Sequence, residues 1–431
     1  MNVLCLGYFD KFSRFFIKIE KEINKTKPVK FKFYNIYISG CLYHWIRLKP
    51  SSWVSMWSWA NVFIYKKKYK TLIKNEKSYK GVCFNNFIKF HSTLKPEISK
   101  NFLLLQTVSY IDIFHKVFKK FNPSILLVIG DSRMAFEIAI EIAKQNKSKI
   151  YYLEQGPFNT TIIDEKGVNA NASIREYKTK NNIKHSSFNL RIKIPNKKYF
   201  RSPIYRSFDY FLEFLLNNTV LFPPDLKSFY NISFKSIINK KIKKKSFNPT
   251  SLKGEKVFLL ILQIPFDVNM IYHSPYYKDH FSIIKDVHKN LPLDCILVVR
   301  EHPLYKNKYE KELYRFAFEN NIFFDFENNI NDSFKYSDVI IVNNSTVGIE
   351  AITKQKSLVV LGNSFYDSSN ICLKYHNKTN LKYTLEKALK FSLDINSMNS
   401  FLNKYISNYS VQGNITDYNL ICAKQIAKIL S

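Results

Sequence analysis

The chain has 431 residues, 46% of them hydrophobic, which is enough to bury a substantial core and suggests two domains. Lys and Arg number 66 against 34 acidic residues, and the resulting formal net charge of +32 favours anionic partners: nucleic acid, anionic lipid or phosphorylated substrates. No run reaches the roughly 18 apolar residues that a transmembrane helix needs, so a membrane-spanning protein is not expected.

Part of the positive charge follows from a composition rich in Lys, Asn, Ile, Phe and Tyr, as an AT-rich genome produces. The six cysteines are scattered without metal-ligand spacing, which indicates buried thiols in a reducing compartment. The N-terminal apolar run is too short for a signal peptide. We therefore expect a cytoplasmic protein, either soluble or peripheral to a membrane.

The N-terminal part of the chain begins as an α/β domain. Residues 3–7 predict a strand, the apolar spacing that follows predicts a helix, and "VKFKFYNIYISG" predicts a second strand that stops at Gly40. A tryptophan-rich segment comes next and precedes several lysines. It is typical of packing between two helices, which we favour, or of a membrane interface. Its tryptophans are Trp45, Trp53, Trp57 and Trp59.

Residues 123–158 form the clearest strand-helix-strand unit of the first half. The strand at 125–129 is followed by a turn containing Asp131 and Arg133, and the next strand ends at Glu154 and Gly156. A carboxylate at a strand end suits acid/base work or the binding of substrate hydroxyls, and a structural loop carboxylate is an equal alternative. Asn169 lies in a polar loop where it would bind a sugar or fix the turn.

Residues 176–254 predict a basic, aromatic bridge between two domains. Helices are expected around 208–216 and 229–238. The lysine run at 240–245 is typical of a solvated helix face or tail, and it also suits an anionic membrane surface, where each lysine contributes on the order of 1 kcal/mol. This bridge is therefore a candidate for facing a membrane.

Three strands of the second half each end in a polar set. The strand at 257–264 delivers Gln263 and Asp267, with His273 close behind in the chain, and the strand at 296–299 delivers His302 and Pro303. Because parallel strands end at one edge of a sheet, we expect these side chains to converge there.

The third strand, at 339–342, is followed by Asn344, Ser345 and Thr346 and then by a helix. Hydroxyls and free amides at such a turn can hold a phosphate, although Ser345 serves equally well as a simple helix cap. Set beside the His302 strand end, the turn predicts a nucleotide phosphate site.

Several nucleotide-binding motifs are missing from the sequence. There is no Asp-x-Asp metal motif, no phosphate loop ending in Gly-Lys-Ser or Gly-Lys-Thr, and no convincing Gly-x-Gly-x-x-Gly. A metal-clamped sugar nucleotide, an ATPase and a dehydrogenase are therefore not favoured. The fold prediction is α/β, with two Rossmann-like domains facing a cleft in a GT-B-type glycosyltransferase architecture. Its ranges are 1–175 (acceptor side), 176–254 (bridge) and 255–431 (nucleotide-sugar side).

Five ordered blocks resemble the bacterial capsule polysaccharide biosynthesis proteins, which are β-Kdo glycosyltransferases. The chain is most similar to the single-module enzymes that add the first Kdo to phosphatidylglycerol, and the resemblance covers about residues 125–174 and 255–370. The blocks are "GDSRMAFEIAIEIAK", "YLEQGPFNTTIIDEKGVNANAS", "LLILQIPFDVNMIYHSPY", "VVREHPL" and "VIIVNNSTVGIEAITKQKSLVVLGNSFYD".

The resemblance implies a CMP-Kdo donor, no cofactor or metal, and transfer with retention of configuration. It implies that Asp267 is the nucleophile or stabiliser of the oxocarbenium-like centre and that Glu154 activates the acceptor hydroxyl. Glu350 would reach the ribose, or it is a surface acid. The residues expected to hold the CMP phosphate are His302, Pro303, Asn344, Ser345 and Thr346. Those expected to contact substrate are Asp131, Arg133, Gly156, Asn169, Gln263 and His273.

The sequence departs from the family pattern at two places. The family often continues its Glu-x-Gly loop with an Arg, whereas Pro157 and Phe158 follow Gly156 here, and Arg133 or Arg175 is a candidate substitute. Phe266 stands where relatives tend to be polar.

The leading hypothesis is a CMP-Kdo transferase that is peripheral on the inner face of the inner membrane and acts on an anionic lipid acceptor. The longer capsule Kdo transferase and the export machinery are candidate partners, and nucleic acid is not expected. One alternative is a transferase for another CMP-activated acidic sugar, such as sialic acid, or one with an O-antigen acceptor. Another is a basic nucleic-acid-binding or capsule-assembly scaffold protein with a decayed active site.

Overall fold

The computed structural model describes residues 1–177, 197–216, 242–265, 267–327, 329–368, 370–376 and 381–431. The chain divides into two compact units. Unit 1 comprises Met1–Val168, Arg191–Phe229 and Ser407–Ser431, and unit 2 comprises Asn169–Leu190 and Tyr230–Ile406. Each unit contains a seven-stranded sheet.

Unit 1 alternates strands and helices along most of its length. Its strands are β1 (Asn2–Gly7), β2 (Lys30–Asn35), β3 (Ser51–Trp53), β4 (Ser78–Tyr79), β5 (Val82–Cys83), β6 (Ile125–Ile129), β7 (Lys149–Gln155), β8 (Thr160–Asp164) and, late in the chain, β16 (Ser410–Gln412). Its helices are α1 (Asp10–Ile23), α2 (Ile38–Trp45), α3 (Val54–Ile64), α4 (Lys66–Asn75), α5 (Lys89–Leu94), α6 (Lys100–Phe121), α7 (Met134–Gln145), α8 (Pro203–Leu216) and α16 (Ile421–Leu430).

The sheet of unit 1 has the order β16-β8-β7-β6-β1-β2-β3. Strands β3, β2, β1, β6 and β7 are parallel. Strand β8 pairs antiparallel with β7, and β16 pairs antiparallel with β8. The strand order reverses between β1 and β6, which is where doubly wound sheets bind ligands, beyond the carboxyl ends of the strands. Residues of β1 and β6 are almost fully buried, as expected for strands covered by helices on both faces.

The last segment of the chain belongs to unit 1. Strand β16 pairs with β8, and the guanidinium of Arg14 on α1 donates hydrogen bonds to the carbonyls of Asp417 at 2.6 Å and Tyr418 at 2.8 Å. The range 255–431, proposed from the sequence as one domain, therefore differs from unit 2, which ends at Ile406.

Unit 2 is the second doubly wound sheet. Its strands are β9 (Lys245–Ser246), β10 (Lys256–Ile261), β11 (Cys295–Arg300), β12 (Phe323–Asp325), β13 (Val339–Val342), β14 (Ser357–Val360) and β15 (Leu373–Lys374). Its helices are α9 (Val268–Tyr272), α10 (His280–Lys289), α11 (Lys311–Glu319), α12 (Ile330–Tyr336), α13 (Val347–Thr353), α14 (Leu381–Leu389) and α15 (Ile395–Lys404).

All neighbouring strands of this sheet are parallel, in the order β15-β14-β13-β10-β11-β12-β9. Without β9, this is the Rossmann order, and it reverses between β10 and β13. The core is formed by strand residues such as Phe258, Val299 and Ile341 packed against Leu313 and Leu385 of the helices. The predicted α/β class with two Rossmann-like units is confirmed.

Two local predictions are wrong. Gly40 does not end a strand: it lies inside α2, and its carbonyl accepts a hydrogen bond from Ser13 Oγ at 2.9 Å. The lysine run at 240–245 is not simply a solvated face, because Lys244 is buried in an ion pair and Lys245 begins β9. Residues 240 and 241 lie outside the described residues.

The predicted helix around 208–216 is present as α8, whereas the one predicted around 229–238 lies outside the described residues. The tryptophan-rich segment contributes Trp53 to β3 and Trp57 to α3, and Trp45 and Trp57 are exposed. None of the helices in the described ranges combines the length and apolarity required to cross a bilayer.

Candidate functional site

In unit 2, the three predicted polar sets lie at one edge of the sheet. Strand β10 pairs in parallel with β11 on one side and with β13 on the other, so all three strands end at the same edge. These ends carry Gln263 and Asp267, then His302, and then Asn344 and Ser345. The edge includes the switch point between β10 and β13, where a ligand is expected in this topology.

Asp267 caps the short helix α9. Its Oδ1 accepts a hydrogen bond from the backbone N–H of Val268 at 2.8 Å. Its other oxygen, Oδ2, accepts no hydrogen bond from any described residue. The charge of Asp267 also acts on its surroundings. Burial raises the pKa of Tyr305 and this charge adds to the rise, whereas for His302 it partly offsets the lowering of the pKa by burial. Asp267 therefore has a structural role as a cap and one oxygen left for a ligand.

The hydrogen bonds of His302 fix its tautomer. Its Nδ1 accepts the backbone N–H of Leu304 at 3.2 Å, so the neutral ring carries its proton on Nε2. The His302 backbone N–H donates to Tyr309 Oη at 3.1 Å, and that hydroxyl donates to the carbonyl of Gln263 at 3.1 Å. The ends of β10 and β11 are thus tied together, and the ring presents a donor suited to a phosphate oxygen.

Glu301, directly before His302, anchors the same loop. Its carboxylate accepts hydrogen bonds from Lys244 Nζ at 2.7 Å, from the Asn307 backbone N–H at 2.8 Å and from Tyr314 Oη at 2.5 Å. Burial lowers the pKa of Lys244, and the charge of Glu301 opposes that effect. A buried, fully paired carboxylate therefore holds the His302 loop in place.

Gln263 and Asn344 face each other between β10 and β13. The backbone N–H of Asn344 donates to Gln263 Oε1 at 3.4 Å, and Asn344 Nδ2 donates to the carbonyls of Asn269 and His273 at 2.9 and 3.0 Å. Within the described ranges, Gln263 Nε2 and Asn344 Oδ1 are buried with no hydrogen-bond partner. Buried polar atoms are rarely left unpaired, so these two are candidates to contact a ligand or water.

The turn after β13 is packed from behind by Tyr366. Its hydroxyl donates to the carbonyl of Ser345, and a Cβ placed on Gly348 would lie 2.3 Å from the same hydroxyl oxygen. Glycine is therefore required at this position for close approach. Ser345 Oγ accepts the N–H of Val347 at 3.3 Å, so Ser345 has the capping role that the sequence left open.

Thr346 is the N-cap residue of α13, and Glu350 lies on the first turn of that helix. The Thr346 hydroxyl is exposed and forms no cap. Glu350 is half-buried, burial raises its pKa, and no described Lys, Arg or His forms an ion pair with it. Pro303 is exposed and begins a 3-10 turn, Pro303–Tyr305.

Three further predicted residues of unit 2 have structural contacts. The backbone carbonyl of His273 accepts the N–H of Asn363 at 2.7 Å, and Asn169 adopts a left-handed φ of 52° in a short 3-10 turn. The guanidinium of Arg175 binds both carboxylate oxygens of Asp367 at 3.0 Å. Arg175 is thus engaged by an aspartate rather than available as a substitute for the family's loop Arg.

In unit 1, the predicted residues lie at or just beyond the carboxyl ends of β6 and β7. Gly130 has a φ of 76°, and its N–H donates to the carbonyl of Leu153 at 2.9 Å. Asp131 accepts hydrogen bonds from Ser132 Oγ at 2.5 Å and from the N–H of Val168 at 3.1 Å. The positive φ of Gly130 lets the chain turn sharply there, which brings Asp131 to the switch point.

Arg133 is buried against aromatic rings. Its guanidinium carbon lies 4.6 Å from the ring centroid of Tyr8 and 5.5 Å from that of Phe90. The positive charge lowers the pKa of Tyr8, but burial of the hydroxyl outweighs this effect and raises the pKa overall. Arg133 is therefore a cation held by stacking at the switch point.

Tyr8 and Lys11 join this cluster, although the sequence interpretation did not select them. A Cβ on Gly130 would lie 3.6 Å from Tyr8 Oη and 3.8 Å from Glu154 Oε2, which brings these two groups to the same place. Burial lowers the pKa of Lys11 to about 8, with the charge of Glu154 opposing it. Tyr8 directly follows β1 and Lys11 lies in the first turn of α1, so a search of the segment after this strand would have identified them.

Glu154 and Gly156 occupy the β7–β8 hairpin. Glu154 Oε1 accepts the N–H of Gln155 at 2.8 Å, and the Gly156 N–H donates to the carbonyl of Thr160 at 3.0 Å. The hairpin turn uses Phe158 and Asn159 in left-handed conformations. The N–H of Gly156 is consequently used within the hairpin, whereas the second oxygen of Glu154 lies beside Gly130.

The described residues contain no group of three or more His, Cys, Asp or Glu side chains arranged to hold a metal ion. The candidate residues of each unit are thus carboxylates, amides and cations at a switch point.

Comparison with models of protein families finds one that matches most of the chain. The family model described as capsule polysaccharide biosynthesis protein matches residues 124–410, which include Glu154, Asp267, His302 and Ser345. The chain belongs to this family. The matched range runs from strand β6 of unit 1 through the whole sheet of unit 2.

Similarity of this family member to individual proteins is low. Protein FixF of Sinorhizobium fredii is 28% identical over 190 residues, an alignment that spans 42% of this chain and 45% of FixF. The chain therefore matches less than half the length of that curated relative.

Solved structures with a similar fold include two types of enzyme. The β-Kdo 2,7-transferase of Thermosulfurimonas dismutans KpsC is 15% identical, with a TM-score of 0.40 over 80% of this chain and 96% of that one. The UDP-GlcNAc 2-epimerase of Neisseria meningitidis is 14% identical, with a TM-score of 0.35 over 100% of this chain and 99% of that one.

Proposed function

We propose that the protein is a glycosyltransferase of capsular polysaccharide synthesis that transfers Kdo from CMP-Kdo to an anionic lipid of the phosphatidylglycerol type. The transfer proceeds with retention of configuration and without a metal. The observation that carries the proposal is the family match over residues 124–410, which includes Glu154, Asp267, His302 and Ser345.

In the proposal, unit 2 binds the donor. The Nε2–H of His302 and the turn at Ser345 and Thr346 contact the CMP phosphate and stabilise its charge as the bond to the sugar breaks. Asp267 supplies a carboxylate oxygen to the oxocarbenium-like carbon, and its Oδ2 accepts no hydrogen bond within the described ranges. Because protein groups carry the leaving phosphate, a divalent cation is not required.

Unit 1 is proposed to bind the acceptor. Glu154 takes the proton of the acceptor hydroxyl as the new carbon–oxygen bond forms, and CMP leaves with the electron pair of the broken bond. Arg133 and Lys11 are cations beside it, and they suit an acceptor that carries a phosphate.

A second candidate is a transferase of the same fold that uses another CMP-activated acidic sugar, such as CMP-sialic acid, or an O-antigen acceptor. It is kept because the identified residues of unit 2 are suited to the nucleotide phosphate, whereas none of them distinguishes one acidic sugar from another.

The direct test is to incubate the purified protein with CMP-Kdo and fluorescent phosphatidylglycerol, with EDTA present, and to search for a one-sugar adduct by mass spectrometry. An adduct that persists in EDTA is the expected result. Transfer from CMP-sialic acid but not from CMP-Kdo would support the second candidate. Absence of transfer from both donors, together with salt-sensitive RNA binding, would favour a scaffold.

A further inference from the structure

Helix α8 (Pro203–Leu216) is amphipathic, but its acidic side chains are buried and its apolar face is exposed. Its acidic residues Asp209 and Glu213 are only 7% and 2% exposed. Its large apolar side chains face solvent at positions 204, 208, 211 and 215, which form one stripe at helical spacing. The exposed residues are Ile204 (68%), Phe208 (46%), Phe211 (57%), Phe214 (66%) and Leu215 (50%).

Buried charges fix this orientation. Asp209 Oδ2 accepts hydrogen bonds from Ser39 Oγ and from Arg201 Nη2, both at 2.6 Å, and Asp209 Oδ1 accepts the N–H of Ser39 at 3.1 Å. Arg201 is in turn paired with Asp10 at 2.8 Å. A rotation that turned the apolar stripe inward would break this network and leave buried charges unpaired, which is costly.

The loop after α2 extends the apolar surface. Ile46 is 66% exposed and Leu48 is 92% exposed. Arg47, between them, donates to Tyr205 Oη on α8 at 3.2 Å, which ties the loop to the helix. We call Ile46 and Leu48, together with the five exposed apolar residues of α8, the α8 patch. Several large apolar side chains exposed on neighbouring elements mark an interaction site.

The exposed charges of the segment that carries the α8 patch have one sign, although one of them, Lys198, is paired with the buried Asp417 at 3.1 Å. Within residues 197–216, the exposed charged side chains are Lys197, Lys198 and Arg206, whereas both acidic ones are buried. Arg47 adds a further exposed cation within the patch. Exposed aromatic and aliphatic side chains on a segment whose exposed charges are all basic complement a surface of anionic headgroups above hydrocarbon.

We propose that the α8 patch docks the protein onto an anionic lipid bilayer, with α8 lying in the plane of the interface. The aromatic side chains enter the boundary between headgroups and acyl chains, and the basic residues contact the headgroups. The choice of a bilayer as the occupant rests in part on the proposed lipid acceptor. Docking would hold unit 1 at the surface from which that acceptor is taken.

The test is co-sedimentation of the full chain with vesicles, without donor sugar. Vesicles of phosphatidylcholine alone are compared with vesicles that also contain phosphatidylglycerol, at low and at physiological salt. We expect binding to the anionic vesicles that weakens with salt, because screening reduces the contribution of the basic residues. The double variant Phe208→Ser/Phe211→Ser should lower the vesicle partition coefficient about tenfold or more.

A matched control replaces exposed apolar residues of unit 2. The variant Leu293→Ser/Tyr383→Ser removes side chains that are 92% and 67% exposed, and it should bind vesicles like the wild type. Wild-type protein that ignores anionic vesicles, or a Phe208→Ser/Phe211→Ser variant that binds them normally, would overturn the proposal. A Phe208→Ser/Phe211→Ser variant that binds vesicles normally but has a lower unfolding midpoint would also overturn the proposal, because it would show that the patch is covered within the chain.

Two further readouts separate this proposal from others. One is light scattering. If the wild type is a dimer that binds no vesicles, and the Phe208→Ser/Phe211→Ser variant is a monomer, the patch contacts a second copy of the chain and bilayer docking is overturned. Transfer of Kdo to a detergent-dispersed lipid, with no vesicle binding, would overturn the docking proposal alone. Vesicle binding without any transfer would leave docking supported and contradict the proposed function.

Discussion

The Nζ of Lys244 lies 2.7 Å from Oε2 of Glu301, the residue that directly precedes His302. Both side chains are almost fully buried, at 9% and 6% exposure. The two residues are far apart in the chain, and the ion pair fastens the segment before β9 to the loop after β11. The position of His302, and hence of its Nε2–H, therefore depends on a contact outside the candidate site.

The ion pair predicts a large effect of Lys244→Met. The substitution leaves Glu301 buried without its cation, so we expect a loss of about 3 kcal/mol in the free energy of unfolding. Urea denaturation monitored by fluorescence measures it. Lys243→Met, at the exposed neighbouring position, is the matched control and should have little effect. An equal loss in both variants would contradict the structural role of the pair.

His302 should govern the pH dependence of nucleotide binding. Burial lowers its pKa below the ordinary value, so the ring is neutral at neutral pH and gains a proton only as the pH falls through the lowered pKa. Protonation adds a charge facing the phosphate, so CMP affinity should rise in that acidic range. In His302→Gln the rise attributable to the ring should disappear.

Isothermal calorimetry with CMP, repeated over a series of pH values, compares the affinity of the wild type with that of His302→Gln. Protonation of CMP itself affects both proteins equally, so a difference between their pH profiles reports on the His302 ring. His302→Ala should weaken binding about tenfold at neutral pH through loss of one hydrogen bond to a charged group. The exposed His376→Ala serves as the control. Identical pH profiles for wild type and His302→Gln would remove His302 from the phosphate site.

The strands that position the site could be predicted because their signal is local. The residues of β10, β11 and β13 form short apolar runs, each ending at polar residues, and the parallel sheet follows from the alternation with helices. Asp267, His302 and Ser345 were therefore placed at one edge from the sequence alone.

Long-range pairing could not be predicted in the same way. The hydroxyl of Thr161 donates to the carbonyl of Gly413, 252 positions away, and no local pattern indicates that β16 joins unit 1. For α8, the helical period shows which residues share a face, but it does not show which face is buried. The pairing of Arg201 with Asp209 decides that.

Gly348 should not tolerate a side chain. A methyl group there would lie 2.3 Å from Tyr366 Oη, and Tyr366 is fully buried with little room to move. We expect Gly348→Ala to lower the free energy of unfolding by about 1–3 kcal/mol and to disturb the Ser345 turn. The ring atoms Cζ and Cε2 of Tyr366 would lie 2.7 and 2.8 Å from the same methyl group, and Phe keeps both of them. Adding Tyr366→Phe should therefore recover little of the lost stability in urea denaturation, and Tyr366→Phe alone controls for loss of the hydroxyl. Wild-type stability of Gly348→Ala would contradict this packing.

Because of Lys11, the free energy of unfolding should rise with pH in the alkaline range. Burial lowers its pKa from 10.5 to about 8. Between these values the unfolded chain binds a proton that the folded chain has lost, so the free energy of unfolding rises with pH, by on the order of 1–3 kcal/mol in total. Lys11→Met lacks this rise and should be more stable than wild type at neutral pH.

Urea midpoints at neutral pH and at about pH 10 test the Lys11 prediction, because the advantage of Lys11→Met should shrink as wild type loses the buried charge. Lys21→Met, an exposed position on the same helix, controls for general effects of removing a lysine. A constant advantage across the pH range would show that burial of the charge is not the cause.

Asp267→Asn separates the capping role of this residue from its proposed chemistry. Asn is as good an N-cap as Asp, so the hydrogen bond to the N–H of Val268 and helix α9 should be kept. The charge is lost, and with it the carboxylate oxygen proposed to face the sugar carbon. We therefore expect an unchanged urea midpoint, retained CMP binding and loss of Kdo transfer.

Asp279→Asn is the matched control, because Asp279 caps α10 in the same unit through a hydrogen bond from the N–H of Ser282 at 2.7 Å. It should keep full transfer activity. Removal of the Asp267 charge should also lower the pKa of His302 further, since that charge raises it in the wild type. Near-normal turnover in Asp267→Asn would leave Asp267 with the capping role alone. A lower urea midpoint in this variant would instead show that activity is lost because helix α9 is destabilised.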